Sequence, residues 1–405
     1  MEELFVSDPR GDGTLIFQKL PSLEVIGDVK IRERPYDITS DEKDIIIGTS
    51  YGHIVLLDRL TLRERNKIEV GKGPIGDVSL TPDYLLSLEW KSTSDNIFRA
   101  YDRDSLELYK EELVDGFMLQ WGNSLILGSG KKFSIYDLKT LERKHEIIPL
   151  LDVCIFADTS QYLHAVNLLE GLITHCRSTD LILDKSGRYI MAPVYNPHKI
   201  FEKTQNQQSL FEMLIDLSQM LKKRATYAKN SCIENLRKLE SGIRESMRDL
   251  DFILLLYDEN GLKRGSLRSS LPPSRFATLP EGVVLDVCGC SIFKESPSAE
   301  GTELRKEDVP LSFLGRVGDH LVFVKQKPGP VEIIVTDERF HIKGELTSLA
   351  LLYPKDAYKY ATLRKDIVIA PTSKETLGLY QIERNGNVEF LGRVKGVPST
   401  FFTVL

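Results

Sequence analysis

Short apolar runs alternate along the chain with polar segments rich in Gly, Asp, Ser and Thr. Residues 45–58, IIIGTSYGHIVLLD, show the pattern, because two apolar, β-branched stretches flank the segment GTSYG. Neither stretch has a helical period, so both are predicted to be strands and GTSYG to be the turn of a hairpin. Glycine supplies the positive φ that tight hairpin turns need. The chain is therefore predicted to consist mainly of β-hairpins.

The same segment fits the pattern G-x-S-x-G, which surrounds the nucleophile of many hydrolases. A nucleophile elbow needs a strand before the serine and a helix after it. The residues after Ser50, HIVLLD, predict a second strand instead. Ser50 is therefore predicted to be a turn residue, and no catalytic residue is assigned.

The hairpin unit recurs with a common ending. An apolar strand ends in Asp, two residues follow, and then come Ser or Thr and Leu, in the segments HIVLLDRLTLRER (53–65), IFRAYDRDSLELY (97–109) and FSIYDLKTLERK (133–144). A looser copy, LIFQKLPSLEVI (15–26), has Lys19 in place of the Asp. Asp and Ser or Thr side chains at this spacing bond nearby backbone N–H groups, which predicts a tight turn. The Leu is expected to re-enter the core on the next strand.

The spacing of the repeat indicates a fold. The hydroxyl positions are separated by 39, 44 and 35 residues, at Ser22, Thr61, Ser105 and Thr140. A period of about 40 residues is that of a four-stranded β-propeller blade. Another apolar strand precedes each hairpin, as in PYDITS (35–40) and PIGDVSLT (74–81).

This arrangement resembles the β-propeller superfamily, which includes tryptophan-aspartate-repeat and quinoprotein-like propellers. The Trp-Asp dipeptide itself is absent, because Leu57, Tyr101 and Tyr136 precede the three Asp residues. The resemblance implies an all-β fold, a single closed propeller with seven blades, or with eight. The C-terminal segment VPSTFFTVL (397–405) resembles the first strand of a blade, and the N-terminus supplies the following hairpin. Shared completion of one blade would protect the edge strands at both ends of the chain.

One segment interrupts the pattern. Residues 197–250 separate the predicted strand IMAPVYN (190–196) from its partner FILLLY (252–257), so residues 1–196 and 251–405 are predicted to form the propeller. Apolar positions recur with an 11-residue period, which predicts a straight or slightly right-handed amphipathic helix. The insertion is either one long helix or a helical hairpin that turns near residues 229–231. Its stripe either covers the propeller or binds a partner or a second copy, and the candidate partner-binding residues are Leu214, Leu217, Leu221, Leu236, Leu239 and Ile243.

The polar side of this helical arm is basic. Residues 222–248 hold eight basic and three acidic side chains, about +5 in a chain whose net charge is −6. Basic helices can contact phosphates or acidic proteins, and they can also be ordinary solvated surfaces. The candidate anion contacts are Lys222, Lys223, Arg224, Lys229, Arg237 and Lys238.

Composition narrows the class of protein. The mild net charge of −6 gives no global reason to expect nucleic acid or an anionic membrane as a partner. The N-terminus has no apolar signal region, and FILLLY is far too short to span a bilayer. Five cysteines, an odd and sparse set, suit a reducing compartment. We therefore expect a cytoplasmic protein with no membrane partner.

Candidate metal and cofactor chemistry is weak. Cys288 and Cys290 would lie on one face of a strand, but a structural zinc site needs four ligands. No H-x-x-x-H pattern and no phosphate-binding Gly-rich loop occurs, so no metal and no cofactor is predicted. The favoured hypothesis is a non-catalytic scaffold or adaptor that binds protein partners through the propeller face and the arm. Two alternatives remain: a subunit of a nucleic-acid-handling complex that uses the basic arm, and a propeller hydrolase acting at the central channel. Convergence of two carboxylates or a metal at the channel would favour the hydrolase.

Overall fold

The computed structural model describes residues 3–91, 96–130, 132–149, 181–184, 187–195, 252–269, 273–280, 282–287, 290–295, 311–325, 332–347, 361–372, 376–395 and 402–405. The named elements of this part of the chain are all β-strands. Up to residue 149 they are β1 (Leu4–Ser7), β2 (Thr14–Lys19), β3 (Val25–Lys30), β4 (Pro35–Ser40), β5 (Asp44–Thr49), β6 (His53–Asp58), β7 (Glu64–Glu69), β8 (Ile75–Leu80), β9 (Tyr84–Glu89), β10 (Asn96–Asp102), β11 (Leu108–Val114), β12 (Phe117–Trp121), β13 (Ser124–Gly128), β14 (Phe133–Asp137) and β15 (Arg143–Ile147).

The later strands follow the same order of short elements. They are β16 (Ile182–Leu183), β17 (Ile190–Tyr195), β18 (Phe252–Tyr257), β19 (Lys263–Ser269), β20 (Arg275–Leu279), β21 (Gly282–Val287), β22 (Cys290–Glu295), β23 (Leu311–Val317), β24 (His320–Lys325), β25 (Glu332–Thr336), β26 (Ile342–Thr347), β27 (Thr362–Arg364), β28 (Ile367–Pro371), β29 (Thr376–Ile382), β30 (Val388–Lys395) and β31 (Phe402–Val404).

The described strands form seven four-stranded antiparallel sheets and one three-stranded sheet. We number these blades in chain order: blade 1 is β31 with β1 to β3, blade 2 is β4 to β7, blade 3 is β8 to β11, blade 4 is β12 to β15, blade 5 is β16 to β19, blade 6 is β20 to β22, blade 7 is β23 to β26 and blade 8 is β27 to β30. Seven blades, with eight as the alternative, were expected from the sequence.

Each hydrophobic cluster is shared by successive blades. Blades 1 and 2 share a cluster, blades 2 and 3 share the next, and the series continues through blades 7 and 8. A last cluster joins blade 8 to blade 1 through Ile367, Ile369 and Phe5. Contacts between successive blades therefore run through all eight sheets and return to the first. Several first strands contact the first strand of the next blade, as β4 contacts β8 and β20 contacts β23, so the first strands lie on the inner side of the blades, around the propeller's central channel.

Burial between two neighbouring blades explains the apolar runs. The strand β5 is buried along its whole length. Ile45 and Ile47 enter the cluster shared with blade 1, whereas Ile46 enters the cluster shared with blade 3. Successive side chains of a strand point to opposite faces, so a blade covered on both faces needs apolar residues at every position. The outermost strand β7, ERNKIE, is polar and mostly exposed.

The turn predicted after each repeated Asp is confirmed. The Asp58 Oδ1 atom accepts hydrogen bonds from the Thr61 backbone N–H at 2.8 Å and from the Thr61 hydroxyl at 2.8 Å. The Asp102 and Asp137 carboxylates make the equivalent bonds to the backbone N–H groups of Ser105 and Thr140. GTSYG is likewise a turn between β5 and β6, in which Gly52 has a φ of 81°.

The expectation for the repeated Leu is wrong in one respect. Leu62, Leu106 and Leu141 have φ values of 55°, 58° and 54° and lie in the turns, before the next strands begin. This left-handed residue closes the turn beside a bulge in the hairpin, so the side chain enters the core from the turn. The Leu62 Cδ1 atom would be 3.0 Å from a Cβ on Gly27 of blade 1. Leu62 therefore packs against the preceding blade and helps to hold the two blades together.

Strand pairing shows how the two ends of the chain meet and which strands flank residues 196–251. The C-terminal strand β31 pairs with β1, with Thr403 opposite Val6, so the two ends of the chain share blade 1. The strands β17 and β18 are antiparallel partners, with Tyr195 opposite Phe252. These two strands flank residues 196–251 along the chain. Residues 196–251 lie outside the described residues, so the helical arm stays a prediction.

Candidate functional site

Strand direction gives the propeller two distinct faces. We call the face that carries the turns between second and third strands, such as residues 50–52, the insertion face, because the insertion joins β17 to β18 there. The turn face carries the repeated Asp turns, such as residues 58–63. The first strands begin at the insertion face, so their first residues line the channel entrance on that side.

Two carboxylates lie near this entrance on neighbouring inner strands. Asp37 of β4 and Asp77 of β8 follow equivalent bulges, at Tyr36 and Gly76, in successive blades. The Asp37 Oδ2 atom accepts a hydrogen bond from the backbone N–H of Val78 at 2.9 Å, which ties blade 2 to blade 3. The Asp77 Oδ2 atom is buried and has no hydrogen-bond partner.

Burial makes both carboxylates weak acids. Desolvation raises the pKa of Asp37 to about 6, although the Val78 N–H and the positive charge of Arg364 partly offset it. Desolvation, followed by the negative charge of Asp37, raises the pKa of Asp77 to about 7, and the Trp90 indole partly offsets this. The two carboxylates therefore repel each other and change charge close to neutral pH.

Charge interactions between non-adjacent blades indicate that Asp37 lies on the channel side of its strand. Arg364 of β27 in blade 8 attracts Asp37 of blade 2, and it repels Arg275 of β20 in blade 6. Neither pair belongs to adjacent blades, so both interactions run across the centre of the propeller. The channel is therefore lined in part by charged groups.

A second acid lies deeper in blade 6. Asp286 is buried opposite Arg275 in the strand pair β20–β21. Desolvation raises the pKa of Asp286, against the hydrogen bond from the Ser274 hydroxyl at 2.8 Å and the charge of Arg275. Burial lowers the pKa of Arg275, whose guanidinium donates to the Phe313 carbonyl at 3.1 Å. Arg275 therefore attracts Asp286 within blade 6, and its hydrogen bond to the Phe313 carbonyl ties blade 6 to blade 7.

Aromatic side chains border the Asp pair on the insertion face. Trp90 lies so close to Gly76 that a Cβ there would be 1.8 Å from the indole ring. The Tyr36 ring meets the Trp90 ring edge-on, with centroids 5.7 Å apart, and the Arg34 guanidinium lies 5.8 Å from the Tyr36 centroid. Trp90 is 42% exposed and Tyr36 is 37% exposed. We call Arg34, Tyr36 and Trp90 the aromatic rim.

The ion pair between Glu89 and Arg99 is buried next to the aromatic rim. The Glu89 carboxylate, next to Trp90 in sequence, accepts from the Arg99 guanidinium at 2.8 Å and from the Gly73 N–H at 2.8 Å. A Cβ on Gly71 would lie 2.3 Å from this carboxylate, so the segment GKGPIGD needs its glycines for close approach. Hydrogen bonds hold the pKa of Glu89 below its usual range despite desolvation. Glu89 therefore stays ionised and fixes the strand end that presents Trp90.

The site at Asp37 and Asp77 was not predicted from the sequence. The signal was present, because Asp37 and Asp77 occupy the same position in the two copies PYDITS and PIGDVSLT that were identified as first strands. Which residues of a first strand face the channel depends on the position of the bulge, and hydrophobic periodicity does not show it. The three glycines of GKGPIGD were a further sign of close backbone approach.

The residues predicted as site candidates fall mainly outside the described part of the chain. This holds for the apolar stripe and the basic residues of the arm, Leu214, Leu217, Leu221, Lys222, Lys223, Arg224, Lys229, Leu236, Arg237, Lys238, Leu239 and Ile243. Cys288 lies outside as well, and Cys290 begins β22. Within the described ranges, no group of three or more His, Cys, Asp or Glu side chains is placed to hold a metal. The same ranges contain no helix long and apolar enough to cross a membrane.

Comparison with known proteins shows the fold and no family. No known protein family matches the sequence, and no curated protein matches it. The computationally designed Ika8 protein superposes with a TM-score of 0.52 at 9% identity, over 96% of this chain and 92% of that chain. BamB from Moraxella catarrhalis superposes with a TM-score of 0.54 at 11% identity, over 94% of this chain and 91% of that chain. The chain is thus a β-propeller, and at these identities the similarity shows the fold alone.

Proposed function

We propose that this protein is a closed β-propeller that serves as a protein-interaction scaffold, with its partner docked on the insertion face. The main support is the aromatic rim on the insertion face, where Trp90 and Tyr36 are partly exposed beside Arg34. Trp, Tyr and Arg are the residues most enriched at the energetic centres of protein interfaces. Tyr51, in a turn on the same face, is 68% exposed and extends the aromatic character outward.

The predicted arm fits the same role. Its root lies between Tyr195 and Phe252 on the insertion face, so a partner on that face would be within reach of both surfaces. The stripe residues Leu214, Leu217, Leu221, Leu236, Leu239 and Ile243 would then bind a partner helix or a second copy of the chain. We place this scaffold in the cytoplasm, as the sparse cysteines suggest.

Affinity purification of four forms tests the scaffold. The forms are the full chain, a chain with residues 206–250 replaced by a short Gly-Ser linker, Trp90→Ala, and Leu60→Ala as the matched control. Leu60 is 91% exposed in an Asp turn on the turn face. We expect one set of partners to be retained by Leu60→Ala and lost with Trp90→Ala. Loss with the linker form as well would show that the arm takes part. Retention of every partner by Trp90→Ala would refute docking on the rim.

The channel carboxylates favour a second candidate, hydrolysis of a small molecule at the channel. Asp37 and Asp77 converge there, and carboxyl groups that titrate near pH 6 to 7 suit general acid and base catalysis. Screening the purified protein against ester, lactone and phosphoester substrates tests this. Turnover that is lost in both Asp37→Asn and Asp77→Asn, while Asp319→Asn retains it, would support the enzyme. Turnover that survives both substitutions would locate it elsewhere.

A further inference from the structure

The Asp pair has no cationic partner at contact distance. Among the described residues, no ion pair joins either Asp37 or Asp77 to a Lys or Arg side chain at salt-bridge distance. Arg364 attracts Asp37 across the channel but does not hydrogen-bond to it. The Asp77 Oδ2 atom is buried without any hydrogen-bond partner. Buried polar atoms are nearly always satisfied in native proteins, so an unsatisfied carboxylate oxygen points to a missing donor.

The groups around the pair fit a donor that is positively charged and organic. Trp90 borders Asp77 directly and is 42% exposed, and cations are attracted to the face of an indole ring. The neighbouring Tyr36 already carries the Arg34 guanidinium at 5.8 Å, so the chain itself shows this chemistry at the same rim. A guanidinium or ammonium group over Trp90 would satisfy both the ring and the carboxylates behind it.

We propose that the channel entrance on the insertion face binds the Arg or Lys side chain of a partner protein, held by Trp90 and by the carboxylates of Asp37 and Asp77. This inference rests on the proposed scaffold function and names the chemistry of its partner. The partner segment is basic and presents one long side chain toward the channel, while Tyr36 and Arg34 contact its flanking residues.

A metal ion fits this entrance less well. Hard cations such as Ca²⁺ take six to eight oxygen ligands, and two Asp side chains beside an indole supply too few. The described residues also offer no third His, Cys, Asp or Glu at the same point. An organic cation needs only one or two carboxylates and gains from the aromatic ring.

The pH dependence of cation binding follows from which charged groups at the entrance titrate near neutral pH. Arg364 attracts Asp37, Arg34 lies at the outer rim, and Glu89 is engaged by Arg99. The two channel carboxylates are therefore the groups that change charge between pH 5 and pH 8. Their ionisation increases as pH rises, so binding of a cation must strengthen in the same direction.

The assay follows the tryptophan indole N–H signals in the NMR spectrum of the protein. The chain has two tryptophans, and Trp121 is buried with its Nε1 atom bonded to the Gly187 carbonyl at 2.9 Å, so it serves as an internal control. Four probe peptides are titrated at pH 8: acetyl-Ala-X-Ala-amide with X as Arg, Lys, Gln or Glu. We expect the Arg and Lys peptides to shift the Trp90 signal saturably, the Gln and Glu peptides to leave it unchanged, and the Trp121 signal to stay in place.

Two variants and a change of pH complete the test. Asp77→Asn should weaken the Arg peptide at least tenfold, whereas Asp319→Asn, whose side chain is 94% exposed on blade 7, should bind as the wild type does. At pH 5 the wild type should bind at least fivefold more weakly than at pH 8. Equal shifts from the Gln and Arg peptides, or unchanged affinity in Asp77→Asn, would overturn the cation site. If Asp77→Asn also retains its partners while Trp90→Ala loses them, the scaffold stands and the cation site alone fails.

Discussion

Replacement of Asp77 by Asn should stabilise the folded protein at alkaline pH. The folded-state pKa of Asp77 is raised from 3.8 to about 7, because the carboxylate is desolvated beside Asp37. A raised carboxyl pKa means that folding disfavours the ionised form. The folded state is therefore not penalised below pH 3.8, it loses stability as pH rises from 3.8 to about 7, and the loss is constant at higher pH.

The expected size follows from the two pKa values. A tenfold change in proton affinity corresponds to about 1.4 kcal/mol, so ionised Asp77 costs the folded state up to about 4 kcal/mol above pH 7. Asn has a similar volume and no charge, so the variant avoids this cost. With an unfolding entropy of about 2 cal/mol/K per residue, the Tm of a cooperative 405-residue unit should rise by about 4–5 °C at pH 8.5.

Thermal unfolding of the wild type and of Asp77→Asn at pH 8.5 and at pH 5 measures the effect. At pH 5 the folded carboxyl is protonated while the unfolded one is mostly ionised, so about 1.7 kcal/mol of the cost remains and the difference in Tm should shrink to about 2 °C. Asp319→Asn controls for loss of a surface charge and should show no change at either pH. The reasoning is refuted if Asp77→Asn is equally stable with the wild type, or less stable, at pH 8.5.

Three further perturbations test the architecture. Gly76→Ala places a Cβ 1.8 Å from the Trp90 ring, so it should displace the indole, shift its fluorescence and abolish partner binding at the rim; an unchanged spectrum would contradict the contact. Gly392→Ala introduces a side chain at a φ of 148° and 2.6 Å from the Leu23 Cδ1 atom, and a loss of about 1–3 kcal/mol should appear in urea unfolding. Deletion of residues 402–405 removes β31 and uncovers Phe5 and Val6, so the truncated chain should aggregate or unfold at 37 °C. A folded, monomeric truncation would show that blade 1 does not need its innermost strand.

Features that depend on interactions between residues close in sequence could be predicted from the sequence. The pattern around Asp58 predicts a turn because the carboxylate reaches its own backbone N–H groups, and no distant residue is needed. The conformation of Leu62 was missed, since a left-handed Leu is unfavourable by itself and becomes acceptable when its partly buried side chain packs against blade 1.

The candidate site was missed for a related reason. Asp37 appeared in the sequence as one polar residue in a short strand, and nothing local distinguishes a solvated Asp from one that faces a channel. Its environment comes from Val78 in the next blade and Arg364 in blade 8, which are 41 and more than three hundred residues away along the chain. Such contacts exist only after the blades have assembled.

By itself the sequence determined the hairpins, the repeat of blades, the turns after the repeated Asp residues and the pairing of the two chain ends. These features depend on side-chain alternation, on turn chemistry and on repeat spacing, all of which act over a few residues or recur at a fixed period. The tertiary structure alone decided which acids meet at the channel, how far their pKa values rise and which tryptophan stays exposed. Those properties arise from desolvation and charge across non-adjacent blades, and both depend on the arrangement of the whole ring of sheets.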